Sequence, residues 1–423
     1  MTDLLDLSER ILRGEASIDD HHPFRPSNVI GEVGEGIAMV ESFANVAAVR
    51  TGEGLVLVDT GSPFAAPTVH ERIRSWDTGP AHTAIYTHGH IDHVFGTGPF
   101  EAEASERGDP PLRVVAHEDV DPRFDRYVTC AGYNEVVNQR QFRAPGLRWP
   151  TDFRRPDLTY RDRLDLTVGG LDLELHHARG ETDDATWVWI PERGAVGAGD
   201  MVIWCAPNAG NPQKVQRYPI EWAAALRAMI ALEPELVVPA HGLPFDGRDR
   251  IAAVIGTVAT TLERLADEVL AMMNAGATLD EIIHTVHVPE ETLAKPYLRP
   301  LYDEPEFVVR NLWRQFGGWW DGAASRLKPA RDAELGAVVA ELAGGTLTLA
   351  RRAAAEADAG NLRLACHLAD LAAWAAPDDG EVHAVRADIY TRRRDAERSL
   401  MAKGIYAAAA RESEEITNAA GDA

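Results

Sequence analysis

The sequence predicts an α/β protein: an αββα sandwich up to about residue 245, followed by an all-helical region. Short apolar runs bounded by turn residues alternate with amphipathic stretches in the first part. Residue types that bind metals stand just past several of these runs, as expected at the rim of a layered α/β domain. Beyond residue 246, helix formers dominate and no strand pattern recurs. We therefore expect an N-terminal extension over residues 1–35, a catalytic domain over 36–245 and a helical region over 246–423.

Ten short runs in the first part have the composition of β-strands. They cover residues 38–40, 46–49, 55–58, 83–86, 113–117, 158–160, 171–175, 186–190, 195–198 and 236–238. The run 55–58 is apolar throughout, which is typical of a strand covered on both faces. Helices are expected over residues 65–76, 219–232, 248–274, 279–287, 306–316 and 331–343, with three or four more over 347–412 and a partly helical insertion over 118–143.

The composition is that of a globular chain with an acidic surface. Of its 423 residues, 45% are hydrophobic and 26% are charged, and the net charge is −24 at pH 7. An acidic surface disfavours nucleic acid and anionic membranes as partners. No run of about twenty apolar residues predicts a membrane span. The three scattered cysteines imply no disulfide framework, and the N-terminus lacks the pattern of a secretory signal, so we expect a cytoplasmic protein.

The most informative stretch is His-Gly-His-Ile-Asp-His at residues 88–93, directly after an expected strand. Neutral imidazole and carboxylate are good ligands for zinc and similar divalent ions. His88 and His90 point to one side of an extended segment, and Asp92 and His93 follow where the chain turns. One loop can therefore supply half of the ligands of two adjacent ions. A solvated histidine-rich loop is the alternative, but the full pattern is far more specific than a lone His-x-His.

The remaining ligands must come from other parts of the chain. Glu181, Asp200 and His241 each follow an apolar run and are flanked by glycine or another small residue. Taken singly, each fits a cap or a turn residue equally well. Together, and in this order, they complete a metal site. Asp59, at the end of another apolar run, is expected to orient a ligand histidine from outside the coordination sphere.

The loop after Asp200 is a candidate anion site on an otherwise acidic chain, because it is rich in amide and basic side chains. Asn208 can donate a hydrogen bond to an anion, and Lys214 or Arg217 can supply positive charge. An ordinary solvated loop is the alternative. Cys205, in the same loop, is expected in the pocket wall rather than among the ligands.

The chain resembles the metallo-β-lactamase fold superfamily. The core motif of that superfamily is matched by His88, His90, Asp92 and His93, and its early aspartate loop is matched by Asp59. The resemblance implies a catalytic αββα domain that holds two metal ions. Zinc is the expected metal, and manganese or iron remain open.

Within the superfamily, the chain resembles the alkyl sulfatase branch. Glu181 stands where most members have a histidine and alkyl sulfatases have a glutamate, and Asp200 stands where this branch bridges the ions with a glutamate. Residues 310–320 and 360–406 resemble the start and the end of the alkyl sulfatase dimerisation region, which implies a homodimer. Longer members also carry a C-terminal lipid-carrier-like domain, and this chain ends before that domain.

The resemblance also implies roles for individual residues. The implied ligands fall into two sets that share one carboxylate: His88, His90 and Glu181 for one ion, Asp92, His93 and His241 for the other, and Asp200 between them. Asp183 and Asp184 are close enough in sequence to replace Glu181. Sulfatases hold the sulfate with an asparagine, matched by Asn208, and an arginine, whose position falls at about Gln213. Tyr133 lies in an insertion that resembles the second wall of their pocket.

The expected function is dinuclear metal-dependent hydrolysis of an alkyl sulfate or a similar small anionic ester. Two adjacent cations lower the pKa of a bridging water from about 15.7 towards 7, which gives hydroxide at neutral pH. Asp92 and Asp200 are the expected catalytic residues, and Asp200 would fix the separation of the ions. A hydrolase of a lactone, thioester, β-lactam or phosphoester is the alternative among enzymes. A dimeric binding protein on the same fold is the alternative outside them.

Overall fold

A computed structural model describes residues 3–24 and 27–421. The chain divides into two compact units, one formed by Met1–Ala131 with Trp149–Gly318 and the other by Gly132–Arg148 with Trp319–Ala423. The domain boundaries expected near residues 35 and 245 stay a prediction. The expected fold class is confirmed, since two sheets with helices occupy the first unit and the later part of the chain is helical.

The first unit contains two sheets in which each strand pairs with its neighbour in the chain. The strands of the first sheet are β1 (Ile30–Gly34), β2 (Ile37–Val40), β3 (Val46–Thr51), β4 (Gly54–Val58), β5 (Ala81–Ile85), β6 (Arg113–His117) and β7 (Leu158–Tyr160). The strands of the second sheet are β8 (Arg163–Val168), β9 (Leu171–His177), β10 (Thr186–Ile190), β11 (Ala195–Ile203), β12 (Leu236–His241) and β13 (Phe245–Asp246). Strands β4 to β7 pair in parallel, as do β11 and β12. The carboxyl ends of these parallel strands are the edges at which ligand-type residues follow.

Helices lie before, between and after the strands. In the first unit they are α1 (Leu4–Leu12), α2 (Ala66–Trp76), α3 (Ile91–Val94), α4 (Thr97–Arg107), α5 (Val120–Thr129), with α7 (Pro219–Ala231), α8 (Arg248–Asn274), α9 (Leu279–Thr285), α10 (Glu290–Leu293) and α11 (Pro305–Gly317) further along. The second unit holds nearly all of α6 (Ala131–Phe142) and then α12 (Ala324–Leu327), α13 (Asp332–Leu342), α14 (Thr346–Asp358), α15 (Leu362–Ala375), α16 (Gly380–Ala396) and α17 (Leu400–Gly421).

Alternation along β4 explains the layered packing of the first unit. Val56 and Val58 join a core cluster that also contains Val188 and Val196 of the second sheet, so they lie between the two sheets. Leu55 and Leu57, which point to the opposite face, belong to a separate cluster with side chains of α2. Because successive side chains of a strand point to opposite faces, a wholly apolar strand must be covered on both sides. This arrangement is the αββα sandwich.

The structure contains several elements that the sequence analysis did not anticipate, among them α1, β1, α4, β8 and β13. Helix α1 and strand β1 lie in the stretch described above only as a polar extension, and Leu4 and Ile11 of α1 are buried in the core. Strand β8 was missed although Leu164, Leu166 and Val168 alternate with exposed polar residues. That alternation is the ordinary signal of a half-buried strand and was available in the sequence.

The second unit is held together by partly buried polar contacts as well as by apolar packing. Arg386 of α16 donates to Asp370 of α15 and to the hydroxyl of Ser413 on α17, both at 2.8 Å. Tyr390 donates to the same carboxylate of Asp370 at 2.7 Å. The chain over residues 347–412 forms four helices, α14 to α17, within the three or four expected there.

No single helix among the described residues is long and apolar enough to cross a membrane. One pair, Asp332–Leu342 with Thr346–Asp358, meets the criteria of length and composition only in combination, and it is bent by 87° at the break.

Candidate metal centre

The histidine-rich stretch lies at the carboxyl end of β5, between the parallel neighbours β4 and β6. His90 has extended backbone angles (φ −76°, ψ 149°) and is the residue before the short helix α3. His90 is therefore extended, but the chain bends at residues 87–89 before it, where the sequence analysis expected one extended segment, and it turns again into α3 at Asp92 and His93. This change of direction lets one loop present side chains to two neighbouring points.

Asp200 is the carboxylate around which the histidines gather. It lies inside the buried strand β11, which runs on to Ile203, and not just past a strand ending at residue 198 as expected from the sequence. Its Oδ2 lies 3.5 Å from Nε2 of His88. Its Oδ1 lies 3.6 Å from Nε2 of His93 and 3.3 Å from Nε2 of His241. Asp92 completes this side, with Oδ2 3.6 Å from Nε2 of His93 and 3.7 Å from Nε2 of His241.

His90 and Glu181 face each other on the other side of Asp200. Nδ1 of His90 lies 3.7 Å from Oε1 of Glu181 and 2.7 Å from Nε2 of His88. All seven expected ligands therefore fall into three overlapping groups whose ligand atoms lie within 4.8 Å of one another: His88, His93 and Asp200; Asp92, His93 and His241; His90, Glu181 and Asp200.

Two buried atoms at the centre show that this donor set fits a cation. Nε2 of His93 and Oδ1 of Asp200 are buried and have no hydrogen-bond partner among the described residues. Buried polar atoms without a partner are rare because losing water without replacement is costly. Both atoms belong to ligand types that zinc and similar ions accept, so a bound cation would satisfy them.

Burial and neighbouring charges both shift the pKa values of these residues, and on His93 the two effects oppose each other. Burial lowers the pKa of His241 to about 4, which leaves its imidazole neutral. Burial and the nearby Glu181 carboxylate raise the pKa of Asp200 well above its ordinary value. Burial alone would lower the pKa of His93, but the carboxylates of Asp200 and Asp59 raise it to about 10. Without an ion, His93 and Asp200 thus tend to keep their protons, and a divalent cation bound here would displace them because metal ligands must be deprotonated.

The ligand histidines are oriented by hydrogen bonds from outside the cluster. Nδ1 of His93 is bonded to Oδ2 of Asp59 at 2.7 Å, as expected for a histidine whose other nitrogen binds a metal. Nδ1 of His241 donates to the backbone carbonyl of Phe43. Between the sheets, the backbone N–H of Thr186 donates to the carbonyl of Thr87 at 2.6 Å. The last two of these bonds join the second sheet to loops of the first sheet around the centre.

Asp183 and Asp184, the sequence alternatives to Glu181, make other contacts. Oδ2 of Asp184 accepts from the backbone N–H of Gly89 at 2.9 Å and from Nε of Arg123 at 2.8 Å. Asp183 accepts from the same arginine. Arg123 is buried and thereby connects α5 to the histidine-rich loop. The geometry thus directs Glu181, rather than either aspartate, toward His90.

The loop of candidate anion-binding residues lies beside Glu181. Asn208 is buried and donates from Nδ2 to Oε1 of Glu181 at 2.6 Å. The guanidinium of Arg217, also buried, lies 3.2 Å from the same oxygen. Lys214 is half-buried, and no hydrogen bond or ion pair of its ammonium occurs among residues 3–24 and 27–421. Burial and the neighbouring Arg217 lower the pKa of Lys214 to about 8.

Two other residues singled out from the sequence lie apart from this cluster of contacts. Cys205 is buried and belongs to none of the candidate ligand groups. Tyr133 lies on α6 in the second unit and is 63% exposed, so its role in a pocket stays a prediction. Sequence reasoning missed Arg123, Asp303 and Asn311. No local pattern marks them, because each acts on a residue at least 60 positions away.

Two family models match the chain. The model of the metallo-β-lactamase superfamily matches residues 39–241. The model of alkyl sulfatase dimerisation matches residues 278–415. Together they cover both the part that holds the candidate metal centre and most of the helical part that follows it.

Curated relatives and solved structures agree with these matches. The chain is 27% identical to a linear primary-alkylsulfatase of Pseudomonas sp. (strain ATCC 19151) over 292 residues, which cover 63% of this chain and 54% of that protein. It is 20% identical to an alkyl/aryl-sulfatase of Saccharomyces cerevisiae over 331 residues, 73% of this chain and 51% of that protein. The chain thus spans about half the length of these relatives.

The structure of a stereoselective inverting sec-alkylsulfatase from Pseudomonas sp. superposes with a TM-score of 0.80 at 22% identity, covering 91% of this chain and 66% of that chain. At this identity the likeness shows a shared fold. It extends over both the sandwich and the helical part.

Proposed function

We propose that the chain is a dinuclear metal-dependent hydrolase of alkyl sulfates or similar anionic esters. The proposal is supported by the combination of a metallo-β-lactamase domain with an alkyl sulfatase dimerisation domain, which fits the alkyl sulfatase-like branch of that superfamily. The observation that carries this proposal is the convergence of seven ligand-type side chains, Asp200 among them, with two buried atoms that have no hydrogen-bond partner among the described residues. Zinc is the proposed metal, at two ions per chain.

We propose the division of ligands that the family resemblance implies. His88, His90 and Glu181 would hold one ion, Asp92, His93 and His241 would hold the other, and Asp200 would lie between them. Two divalent ions, when bound there, would supply a water of lowered pKa and polarise an ester oxygen. Asp92 and Asp200 are the proposed catalytic residues, since they place negative charge where both ions and the substrate must meet.

Lys214 is the residue we propose for recognition of the substrate anion. Its ammonium is unpaired among the described residues and lies in a loop that also contains Asn208 and Arg217. Arg217 and Asn208 already contact Glu181, so their proposed contribution is to hold the anion with their remaining N–H groups. Since the net charge of the chain is −24, a local cation is needed to attract an anionic ester.

The test is release of inorganic sulfate from a medium-chain alkyl sulfate by zinc-loaded protein, with His241→Ala as the blank. The proposal expects about two zinc ions per chain in the wild type and release that disappears in the variant. Lys214→Gln should raise KM more than it lowers kcat, because it removes a binding charge without removing a ligand. Protein that carries two zinc ions and releases no sulfate would contradict the sulfatase assignment.

A second candidate is a hydrolase of another ester or ring, favoured by Gln213 at the position where the sulfatases have an arginine. A glutamine supplies hydrogen bonds but no charge, so a pocket with glutamine at this position binds a less negatively charged substrate better than a pocket with arginine would. A panel with a lactone, a thioester, a β-lactam and a phosphoester separates this candidate from the first. A zinc-loaded protein inactive on every member of the panel would support the binding-protein alternative.

The homodimer and the cytoplasmic setting expected from the sequence belong to the same proposal. The match to the alkyl sulfatase dimerisation model supports self-association. Exposed apolar side chains recur on the helices of the second unit: Leu335, Val338, Leu342, Leu364 and Trp374. A second copy of the chain is the occupant that we propose for this surface.

A further inference from the structure

We propose that Asp303 and Asn311 are positioning residues of the metal centre, because they anchor the loop that carries Asn208 and Arg217. This inference rests on the proposed function for its activity measurement, and its metal-binding measurement is independent of the substrate. Neither residue lies among the proposed ligands, and neither belongs to the histidine-rich loop or to its immediate contacts.

The first anchor begins at the fully buried carboxylate of Asp303. Its Oδ2 accepts from the backbone N–H groups of Gly210 at 2.7 Å and Asn211 at 3.0 Å. The side chain of Asn211 then donates to Oδ1 of Asn208 at 3.3 Å. Asn208 donates in turn to Oε1 of Glu181 at 2.6 Å. A continuous series of hydrogen bonds therefore connects Asp303 to a proposed metal ligand.

The second anchor is the buried side chain of Asn311 on α11. It accepts at Oδ1 from the backbone N–H of Arg217 at 3.3 Å and from the side chain of Gln216 at 3.0 Å. It also donates from Nδ2 to the carbonyl of Arg217 at 2.9 Å. This pair of bonds fixes the backbone of Arg217, whose guanidinium lies 3.2 Å from Oε1 of Glu181.

Both series of contacts end on the same oxygen of Glu181, the one that faces His90. The loop is also pressed against α11 between its anchors. A Cβ added at Gly210 would overlap the backbone of Phe307 and Val308, so only glycine permits this approach. Because hydrogen-bond donors outside the coordination sphere orient a ligand and tune its basicity, movement of the loop should change how Glu181 binds metal.

The anchors also show how a region outside the superfamily domain reaches the site. Asp303 and Asn311 lie beyond residues 39–241 and within residues 278–415, the range that matches the dimerisation model. Both nevertheless belong to the first compact unit together with the metal centre. The region named for dimerisation therefore has, in its first part, a second role as a scaffold of the catalytic pocket.

The test compares zinc affinity in Asp303→Asn and Asn311→Leu with the wild type, by competition with a chromophoric chelator. Removing partners outside the coordination sphere should weaken at least one zinc equivalent by about 10–100-fold. Gly210→Ala, which displaces the same loop and leaves both anchor side chains in place, should weaken the same equivalent. It also keeps the inference testable if an anchor variant does not fold.

Asp77→Asn is the matched control. Asp77 is a half-buried carboxylate that accepts from the backbone N–H of Gly79 at 2.7 Å and pairs with Arg50 at 2.6 Å. It lies in the turn before β5, at the end of that strand away from the metal centre. Its loss should lower the melting temperature without changing zinc affinity, which separates general destabilisation from positioning.

The outcomes for the inference and for the proposed function are distinct. Folded anchor variants that bind both zinc equivalents as tightly as the wild type would overturn the inference, whatever the wild type hydrolyses. Weakened zinc binding in these variants, in a protein that releases no sulfate, would support the inference and contradict the sulfatase assignment. Where sulfate is released, kcat/KM should fall in both anchor variants and stay unchanged in Asp77→Asn.

Discussion

Asp59 and His93 are joined by a hydrogen bond of 2.7 Å between Oδ2 and Nδ1. Asp59 also accepts from the backbone N–H of Thr87 at 2.7 Å and from its hydroxyl at 2.8 Å. Because a carboxylate can only accept, Nδ1 of His93 carries the hydrogen. In the neutral ring Nε2 then has a free lone pair, and it faces Asp92 and Asp200. One contact thus selects the tautomer that can bind a metal.

Asp59→Asn should weaken zinc binding by about 10–100-fold. If the amide of the substituted residue keeps its oxygen toward His93, its NH2 group faces the backbone N–H of Thr87, so two donors oppose each other. An amide that keeps its oxygen toward Thr87 presents N–H to Nδ1 of His93, which favours the tautomer with hydrogen on Nε2. Competition titration with a chelator measures the change. Unaltered zinc affinity in a folded variant would contradict this role of Asp59.

The loop that carries Asp59 and the histidine-rich loop also approach each other closely at Gly96. Thr60 donates to the carbonyl of His93 from its backbone N–H at 2.7 Å and from its hydroxyl at 2.9 Å. The backbone N–H of Gly96 donates back to that hydroxyl at 3.0 Å. A Cβ at Gly96 would overlap the carbonyl oxygen of Thr60. The two loops can approach this closely only with glycine here.

Gly96→Ala should therefore lower the free energy of unfolding by about 1–3 kcal/mol, as overpacking does elsewhere, and it should weaken zinc binding. Gly98→Ala is the matched control, since a Cβ there meets nothing within 4 Å and the position lies in helix α4. That variant should be neutral or stabilised by up to about 1 kcal/mol. Urea unfolding of both variants measures the difference. Equal stabilities would refute the close approach of the two loops.

The sequence was informative about the centre wherever a local pattern encodes chemistry. The run at residues 55–58 predicted a doubly covered strand, and its following residue, Asp59, lies beside His93 as expected. The histidine spacing likewise predicted the turn at Asp92 and His93, although it did not predict the bend at residues 87–89. These features depend on neighbours in the chain, so periodicity and ligand chemistry are sufficient to identify them.

The sequence could not reveal contacts that arise only when distant segments meet. Arg123 reaches Asp184 across 61 positions, and Asp303 reaches Gly210 across 93. In the sequence Asp303 stands before Glu-Pro at the start of a helix, where an acidic residue is ordinary. Its burial and its two backbone donors follow from tertiary packing, which no local propensity encodes.

Burial raises the pKa of Asp303 to about 6, despite its hydrogen bonds from Asn211, Glu304 and Gly210 and the nearby charge of Arg217. The folded chain therefore keeps a proton at pH values where the unfolded chain, with an ordinary pKa of 3.8, has lost it. The contribution of the Asp303 carboxyl to the free energy of unfolding therefore falls as pH rises from 3.8 to about 6. It is constant above that range, where both states are charged.

Between pH 5 and pH 7, metal-free wild type should lose about 1 kcal/mol of stability relative to Asp303→Asn. The other carboxylates titrate in both proteins, so their contributions cancel when the free energy of unfolding of one protein is subtracted from that of the other at each pH. Urea unfolding at the two pH values measures it. A stability difference that is the same at both values would show that Asp303 does not titrate in this range.

Helix α13 in the second unit carries an apolar stripe that remains exposed. Leu335, Val338 and Leu342 recur at helical spacing on one face and are 51%, 55% and 84% exposed. Contiguous exposed apolar surface on a helix is typical of an interface. The stripe lies within the residues that match the alkyl sulfatase dimerisation model, which supports its assignment to contact with a second copy.

Val338→Glu should convert the proposed homodimer to a monomer of 46.2 kDa at micromolar concentration, since a charge buried in an apolar interface has no partner there. Val128→Glu is the matched control: the same substitution on α5 of the first unit, at a side chain that is 50% exposed. It should leave the dimer intact. Light scattering after size exclusion gives the mass of each protein. A wild type of monomeric mass, or a dimeric Val338→Glu, would exclude this stripe as the dimer interface.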